Sequence, residues 1–200
     1  GYEYNELKNV DEKVISGFMN HVKEVIAAGD ENVYEYILNW YAYILQNPNG
    51  KTGTALVLTG AQGTGKNVFT NVLCHLMNRY SNKNLTNIDH IVGKYNQSIE
   101  GMKLIVCNEL SSAETNKYLN SDALKSVITE NQTDIRQMYL PVHPAQNVVN
   151  LILLSNNSTP IKIENGDRRY VVSVVSDKYK GDRDYFKRLC NSFNDGFYEN

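Results

Sequence analysis

A chain of 200 residues, 42% hydrophobic and 21% charged, has the makings of one globular domain with room for a core that needs no disulfide or metal staple. Those values exclude global disorder, a collagen-like rod and a disulfide-dense miniprotein, and no apolar run is long enough to span a bilayer. The net charge of −2 excludes a uniformly basic nucleic-acid coat but leaves room for a local basic patch.

Helical spacing over residues 11–29 puts Val14, Ile15, Phe18, Val22, Val25 and Ile26 on one face, with Gly29-Asp30 as the break. A second helix runs through Val33, Tyr36, Ile37, Trp40, Tyr41 and Ile44 and stops near Asn47-Pro48-Asn49-Gly50. Residues 1–50 therefore read as a small N-terminal helical segment that carries no catalytic group, ahead of a core over 51–200. The pattern then changes. Ala55–Leu58, Leu104–Cys107 and Leu151–Leu154 are short all-apolar runs, the signature of strands buried on both faces. Helices are predicted over 66–79, through Leu119, Leu124, Val127 and Ile128, and over 182–193, and a further strand over Val171–Val175. Buried strands separated by helices predict an α/β fold with a mainly parallel sheet. Cys74, Cys107 and Cys190 fit no metal or redox spacing and are expected as free thiols in a reducing, intracellular setting. The opening at Gly1, with no secretory signal, reads as a piece of something longer.

Between the first strand and its helix, Gly60-Ala61-Gln62-Gly63-Thr64-Gly65-Lys66-Asn67 matches G-x-x-x-x-G-K, with Asn where Ser or Thr is usual. Glycines let consecutive N–H groups curl around phosphate oxygens, the helix directs its positive end at the same anion, and Lys66 adds a full charge toward the β- and γ-phosphates. Gly60 to Asn67 and the next residue, Val68, are the predicted nucleotide-binding set, with ATP and Mg²⁺ as ligands. The amide oxygen of Asn67 can serve the metal. Asn108-Glu109 follow the second buried run: Glu109 is placed to orient and deprotonate water, and Asn108 stands where an Asp commonly supports Mg²⁺. Asn156, at the end of the third run, can bond the γ-phosphate or the water. Arg168 and Arg169 precede the last strand, and one of them can reach the γ-phosphate of a neighbouring subunit.

These motifs together resemble the superfamily 3 helicases, a branch of the AAA+ P-loop ATPases, and within it the helicase module of poxvirus-type, phage and giant-virus primase-helicases. The likeness runs from about Trp40 to Val175 through Asn39-Trp40, Gln46-Asn47-Pro48, the Gly60–Asn67 loop, Gly93-Lys94-Tyr95-Asn96, Leu104–Glu109, Leu124–Thr129, Leu154-Ser155-Asn156 and Asp167-Arg168-Arg169-Tyr170. It implies an ATP-driven hexameric ring moving on single-stranded or forked DNA, sometimes fused to a primase domain. Lys66 would be the Walker A lysine, Asn108 and Glu109 the Walker B pair, Asn156 sensor 1, and Arg168 or Arg169 the arginine finger. Residues 1–50 would lie on the collar side of the ring. The stretch Asp134–Asn147 would form a DNA-gripping hairpin. Met138-Tyr139 occupy the place where relatives often carry a Lys; Tyr139 could stack on bases, and Arg136, His143 or Lys125 could supply positive charge. Two other readings stay open: a P-loop kinase, and an assembly or initiator ATPase with little turnover, which Asn67 and Asn108 favour.

Overall fold

The computed structural model describes residues 11–108, 117–157, 163–164, 166–193 and 196–198, leaving aside the side chains of Asn84 and of residues 117–121. Asp11 starts α1 (Glu12–His21) by accepting a 3.0 Å hydrogen bond from the Lys13 amide. The single helix predicted over 11–29 is broken in register at His21. From there the chain makes a π-helical turn, Val22–Ile26, closed by Ala27 N to Val22 O at 2.8 Å. The turn sinks Val22, Val25 and Ile26 completely. It also frees carbonyls for the core: Ser176 N donates to Val25 O at 2.9 Å and Ser173 Oγ to Ile26 O. Asp30 then caps α2 (Glu31–Gln46) through the amides of Asn32 and Val33.

The sheet has five strands: β1 (Ala55–Thr59), β2 (Ser81–Leu85), β3 (Leu104–Cys107), β6 (Asn150–Ser155) and β7 (Tyr170–Val174). Their order is β2-β3-β6-β1-β7, and every described pairing is parallel. β1, β3 and β6 are buried at every residue, and each is built on an apolar run of four, with Thr59, Asn150 and Ser155 the polar ends of β1 and β6. Alternate residues divide between two cores. Leu56, Leu58, Leu104, Val106, Ile152 and Leu154 face a cluster that holds α1, the π-turn, α2 and α3 (Lys66–Met77). Ala55, Val57, Ile105, Cys107, Leu151 and Leu153 face α4 (Asp89–Val92) and α5 (Lys117–Thr129). The result is a mixed α/β, three-layer arrangement around a parallel sheet, and the N-terminal helices share one continuous core with β1 and α3. The last helix, α6 (Arg183–Asn191), packs Leu189 inward.

β2 is absent from the sequence prediction because Ser-Asn-Lys-Asn-Leu is no apolar run: among the described strands it is an edge strand, paired with β3 and irregular in register. Outside the sheet, β4 (Gln132–Ile135) and β5 (His143–Gln146) form an antiparallel hairpin between α5 and β6. Asn96 pins it: its Nδ2 donates to Asp134 O at 3.0 Å, and its Oδ1 accepts from Arg136 N at 2.8 Å. The Gly93–Asn96 motif thus has a structural role as the hairpin's mooring. Cys74 and Cys107 are buried free thiols, as expected, whereas Cys190 is free but exposed. Among the described residues no helix is long and apolar enough to cross a membrane.

Candidate functional site

β1 ends at Thr59, and the chain turns through three glycines with positive φ, Gly60 (+142°), Gly63 (+82°) and Gly65 (+95°), before α3 begins at Lys66. Gly65 is required twice over. Its left-handed backbone disfavours any side chain, and an added Cβ would lie 2.5 Å from His21 Cε1 and 2.9 Å from Phe186 Cε1. The Lys66 ammonium is drawn into the loop, where it donates to Gly60 O (2.6 Å), Ala61 O (2.9 Å) and Asn156 Oδ1 (3.3 Å). No carboxylate is among those partners, and burial pushes the lysine's pKa below its ordinary value. The result is a positive charge held by neutral dipoles at the mouth of a turn, ready to exchange weak acceptors for an anion.

The neighbouring strand ends complete a pocket of about 640 Å³ lined by Gln62–Val68, Thr86, Asn108, Leu154–Asn156 and Phe186. β6 lies beside β1, and Gly60 N donates to Ser155 O at 3.2 Å, which brings Asn156 against Lys66. Asn108 leaves β3 with its Nδ2 donating to Lys83 O at 2.8 Å, so that among the described residues its amide oxygen is the atom left for a ligand. This crevice lies beyond the carboxyl ends of the strands. There the connections diverge, because β1 continues to the distant edge strand β2 while β7 lies on its other side. Lys66, Asn67, Val68, Asn108 and Asn156 thus line one pocket; Glu109 lies outside the described residues. Among the described residues no group of three His, Cys, Asp or Glu side chains could hold a metal. The amide oxygens of Asn67 and Asn108 suit a hard cation that arrives with a phosphate ligand, not one bound by protein alone.

Arg168 and Arg169 do not join this pocket. Ala55 N donates to Arg169 O at 2.8 Å, at the opposite end of β1 from the glycine loop, and the intervening strand spans about 13 Å. Arg169 is tied down locally, with its amide and its Nη1 both on Asp167 Oδ1 at 3.0 and 3.1 Å. Arg168 is exposed.

The residues predicted to touch DNA also separate. Tyr139 is 96% exposed at the hairpin tip, with φ +65°, beside exposed Met138, Leu140 and Val142. Arg136 is at the same end of β4, 4.0 Å from Asp134. His143, on β5, meets Glu100 Oε1 at 2.8 Å; that bond raises its pKa, while Glu100 Oε2 accepts from Gln137. Glu100 therefore clasps both limbs of the hairpin neck. Lys125 lies on α5, paired with Glu164 (3.1 Å) and Asp122 (3.3 Å).

Three pocket-side residues, His21, Thr86 and Phe186, carry no sequence signal that marks them. His21 is wholly buried beneath the loop, its Nε2 3.2 Å from Gly65 O and its Nδ1 3.0 Å from Tyr185 OH. Since a carbonyl only accepts, Nε2 carries the proton and the tyrosine hydroxyl donates to Nδ1. Burial lowers the histidine's pKa, in keeping with that neutral form.

The chain belongs to DUF5906, a family of unknown function whose profile matches residues 58–169. It is similar to the DNA primase-polymerase of Nitratiruptor phage NrS-1, with 28% identity over 149 residues, covering 70% of this chain and 20% of that protein. The chain therefore spans about one fifth of its curated relative. The apo structure of the NrS-1 C-terminal region superimposes with a TM-score of 0.77 at 24% identity, over 95% of this chain and 45% of that one. An A-form apo structure of the same region gives 0.74 at 23% identity, over 98% and 46%. At these identities the likeness shows a shared fold.

Proposed function

We propose that this chain is the ATP-hydrolysing motor of a viral or mobile-element DNA replication protein: a P-loop NTPase of AAA+ type, similar to the superfamily 3 helicases, that translocates on single-stranded DNA as a homo-oligomeric ring. The observation that carries the reading is Lys66, held among the described residues by neutral oxygens in a glycine turn between a buried strand and a helix, with Asn108 and Asn156 at its sides. The likeness to a phage primase-polymerase supports a place in viral DNA replication.

In this reading the backbone amides of Gln62 to Lys66 and the start of α3 receive the phosphates. Lys66 leaves its carbonyl acceptors for the β- and γ-phosphate oxygens. Asn156, already within reach of Lys66, turns its amide to the γ-phosphate or the attacking water. Glu109 takes the water's proton. Asn67 and Asn108 would hold the Mg²⁺ that comes with the triphosphate, and the ion would neutralise phosphate charge. An arginine side chain cannot bridge the length of β1, so the finger acts on a neighbouring chain's site. Arg168 is our choice for that role, because Arg169 is committed to Asp167. The hairpin carries Tyr139 for base stacking and Arg136 for phosphate contact.

Steady-state ATP turnover of the chain with and without single-stranded DNA tests this. DNA-stimulated hydrolysis should fall roughly 10²-fold or more in Glu109→Gln while ATP binding persists. Arg168→Ala should silence the assembled protein, and mixing it with Lys66→Ala should restore part of the activity. Asn67 and Asn108, uncharged amides where Ser or Thr and Asp are usual, favour one second reading, an assembly ATPase. That reading predicts nucleotide-dependent oligomers with negligible turnover.

A further inference from the structure

We propose that Phe186 is the platform on which the base of the bound nucleotide rests, so that α6 makes the pocket specific for a nucleoside triphosphate over a bare polyphosphate. The inference rests on the reading of the β1–α3 loop as a triphosphate site. Along the glycine loop, and at Asn108 and Asn156, the pocket lining is polar. Its apolar lining comes from Val68, Leu154 and Phe186, and of these Leu154 is buried in the sheet. Val68 and Phe186, both partly exposed, are left for whatever extends past the phosphates.

Phe186 is the one aromatic ring lining the pocket among the described residues. It stands where the loop meets α3, its Cε1 2.9 Å from the place a Gly65 Cβ would occupy. Its described ring contacts are steeply inclined: 74° to His21 and 82° to Tyr185, with no ring stacked on it. A planar π-face on the pocket wall, with no stacking partner among the described residues, suits a base.

The platform is also held in place. Asp182 caps α6 by accepting from Tyr185 N at 2.8 Å. The Tyr185 ring stacks on Tyr179 at 3.8 Å, and its hydroxyl reaches through His21 to the Gly65 carbonyl. α6 and the phosphate loop are thus joined by one hydrogen-bonded path, and ring and loop keep a fixed separation. Stacking rewards the presence of a base more than its identity, and larger purine faces more than pyrimidines.

The test is equilibrium binding of ATP and of inorganic tripolyphosphate, each with Mg²⁺, to wild type, Phe186→Ala, Phe186→Leu and Phe186→Tyr. The leucine variant keeps apolar packing on Gly65 if the alanine variant fails to fold. ATP affinity should drop about tenfold or more in the alanine and leucine variants and hold in the tyrosine variant, while tripolyphosphate affinity stays within about twofold throughout. If ATP and tripolyphosphate weaken together, the ring merely braces the loop and the proposal fails; if neither weakens, the base lies elsewhere. Wild type that binds neither ligand would instead overturn the triphosphate reading beneath it.

Discussion

Both ends of the central sheet hold a lysine whose ammonium is taken by backbone carbonyls, yet the two ends do different work. At the carboxyl end, Lys66 rests on Gly60 and Ala61 carbonyls beside an open pocket. At the amino end, Lys103, 2% exposed, donates to the Asn47 and Gly50 carbonyls past the close of α2, and Lys51 donates to Val127 and Glu130 carbonyls at the close of α5. Helix ends leave carbonyls without partners and carry partial negative charge, so a lysine there is a bolt. Asn147 adds two donations to the same α5 carbonyls, and Asn150 links Thr52 to the Lys103 carbonyl. A buried cation on carbonyls is therefore no site in itself. Lys66 differs because its carbonyls belong to a glycine turn with a cavity in front of it.

The contrast can be pressed hardest at Gly65. Gly65→Ala places a Cβ against His21 and Phe186 at positive φ and should cost about 2–4 kcal/mol in denaturant unfolding. Gly63→Ala, where a Cβ meets nothing within 4 Å, should cost only about 1 kcal/mol from backbone strain. At the opposite end, Lys103→Met keeps the stem and removes the donor. Stability should fall by about 1–3 kcal/mol from the stranded carbonyls while nucleotide affinity of the folded protein holds.

A pH series sharpens the comparison further. Burial holds both Lys51 and Lys103 at about 8, below the ordinary 10.5; for Lys51, Glu130 opposes the shift and Lys103 adds to it. Between those values the unfolded chain binds more protons than the folded one, so these two groups make unfolding free energy rise with pH from about 8 toward 10.5. Lys103→Met should flatten that rise, measured as its difference from wild type. The difference is the proper readout because Tyr170 and Tyr185, pushed up to about 12 mainly by burial, oppose the rise above pH 10. The smallest effect is expected at the arginines. Arg169→Ala strips Asp167, whose side chain is 3% exposed, of its cation and should lower stability by about 1 kcal/mol, whereas Arg168→Ala should change it by less than about 0.5 kcal/mol.

The sheet strands that bury both faces were legible as apolar runs, and the glycine loop as a motif, because each needs its residue types locally. β1, β3, β6 and β7 fall within a residue of their predicted ends. What stayed hidden depends on distant partners. Nothing near His21 announces that it will sit under Gly65, nor does Phe186, next to Tyr185 on a largely polar helix, announce the pocket. The π-turn is likewise invisible, since Val22, Val25 and Ile26 fit an ordinary helix; its shifted register is fixed by burial and by bonds from Ser173 and Ser176. The hairpin came only through family likeness, its tip being exposed and its limbs four residues each. The two arginines are side by side in sequence; the Asp167 contact is what sets Arg169 apart from the exposed Arg168.

The central claim is that the β1–α3 loop is a nucleoside triphosphate site built around Lys66. Calorimetric titration of wild type and Lys66→Ala with ATP and Mg²⁺, alongside thermal unfolding of both proteins, tests it most directly. We predict saturable binding in wild type, its loss in the variant, and no loss of cooperative unfolding. Equal binding by two folded proteins, or no binding by wild type, would contradict the account.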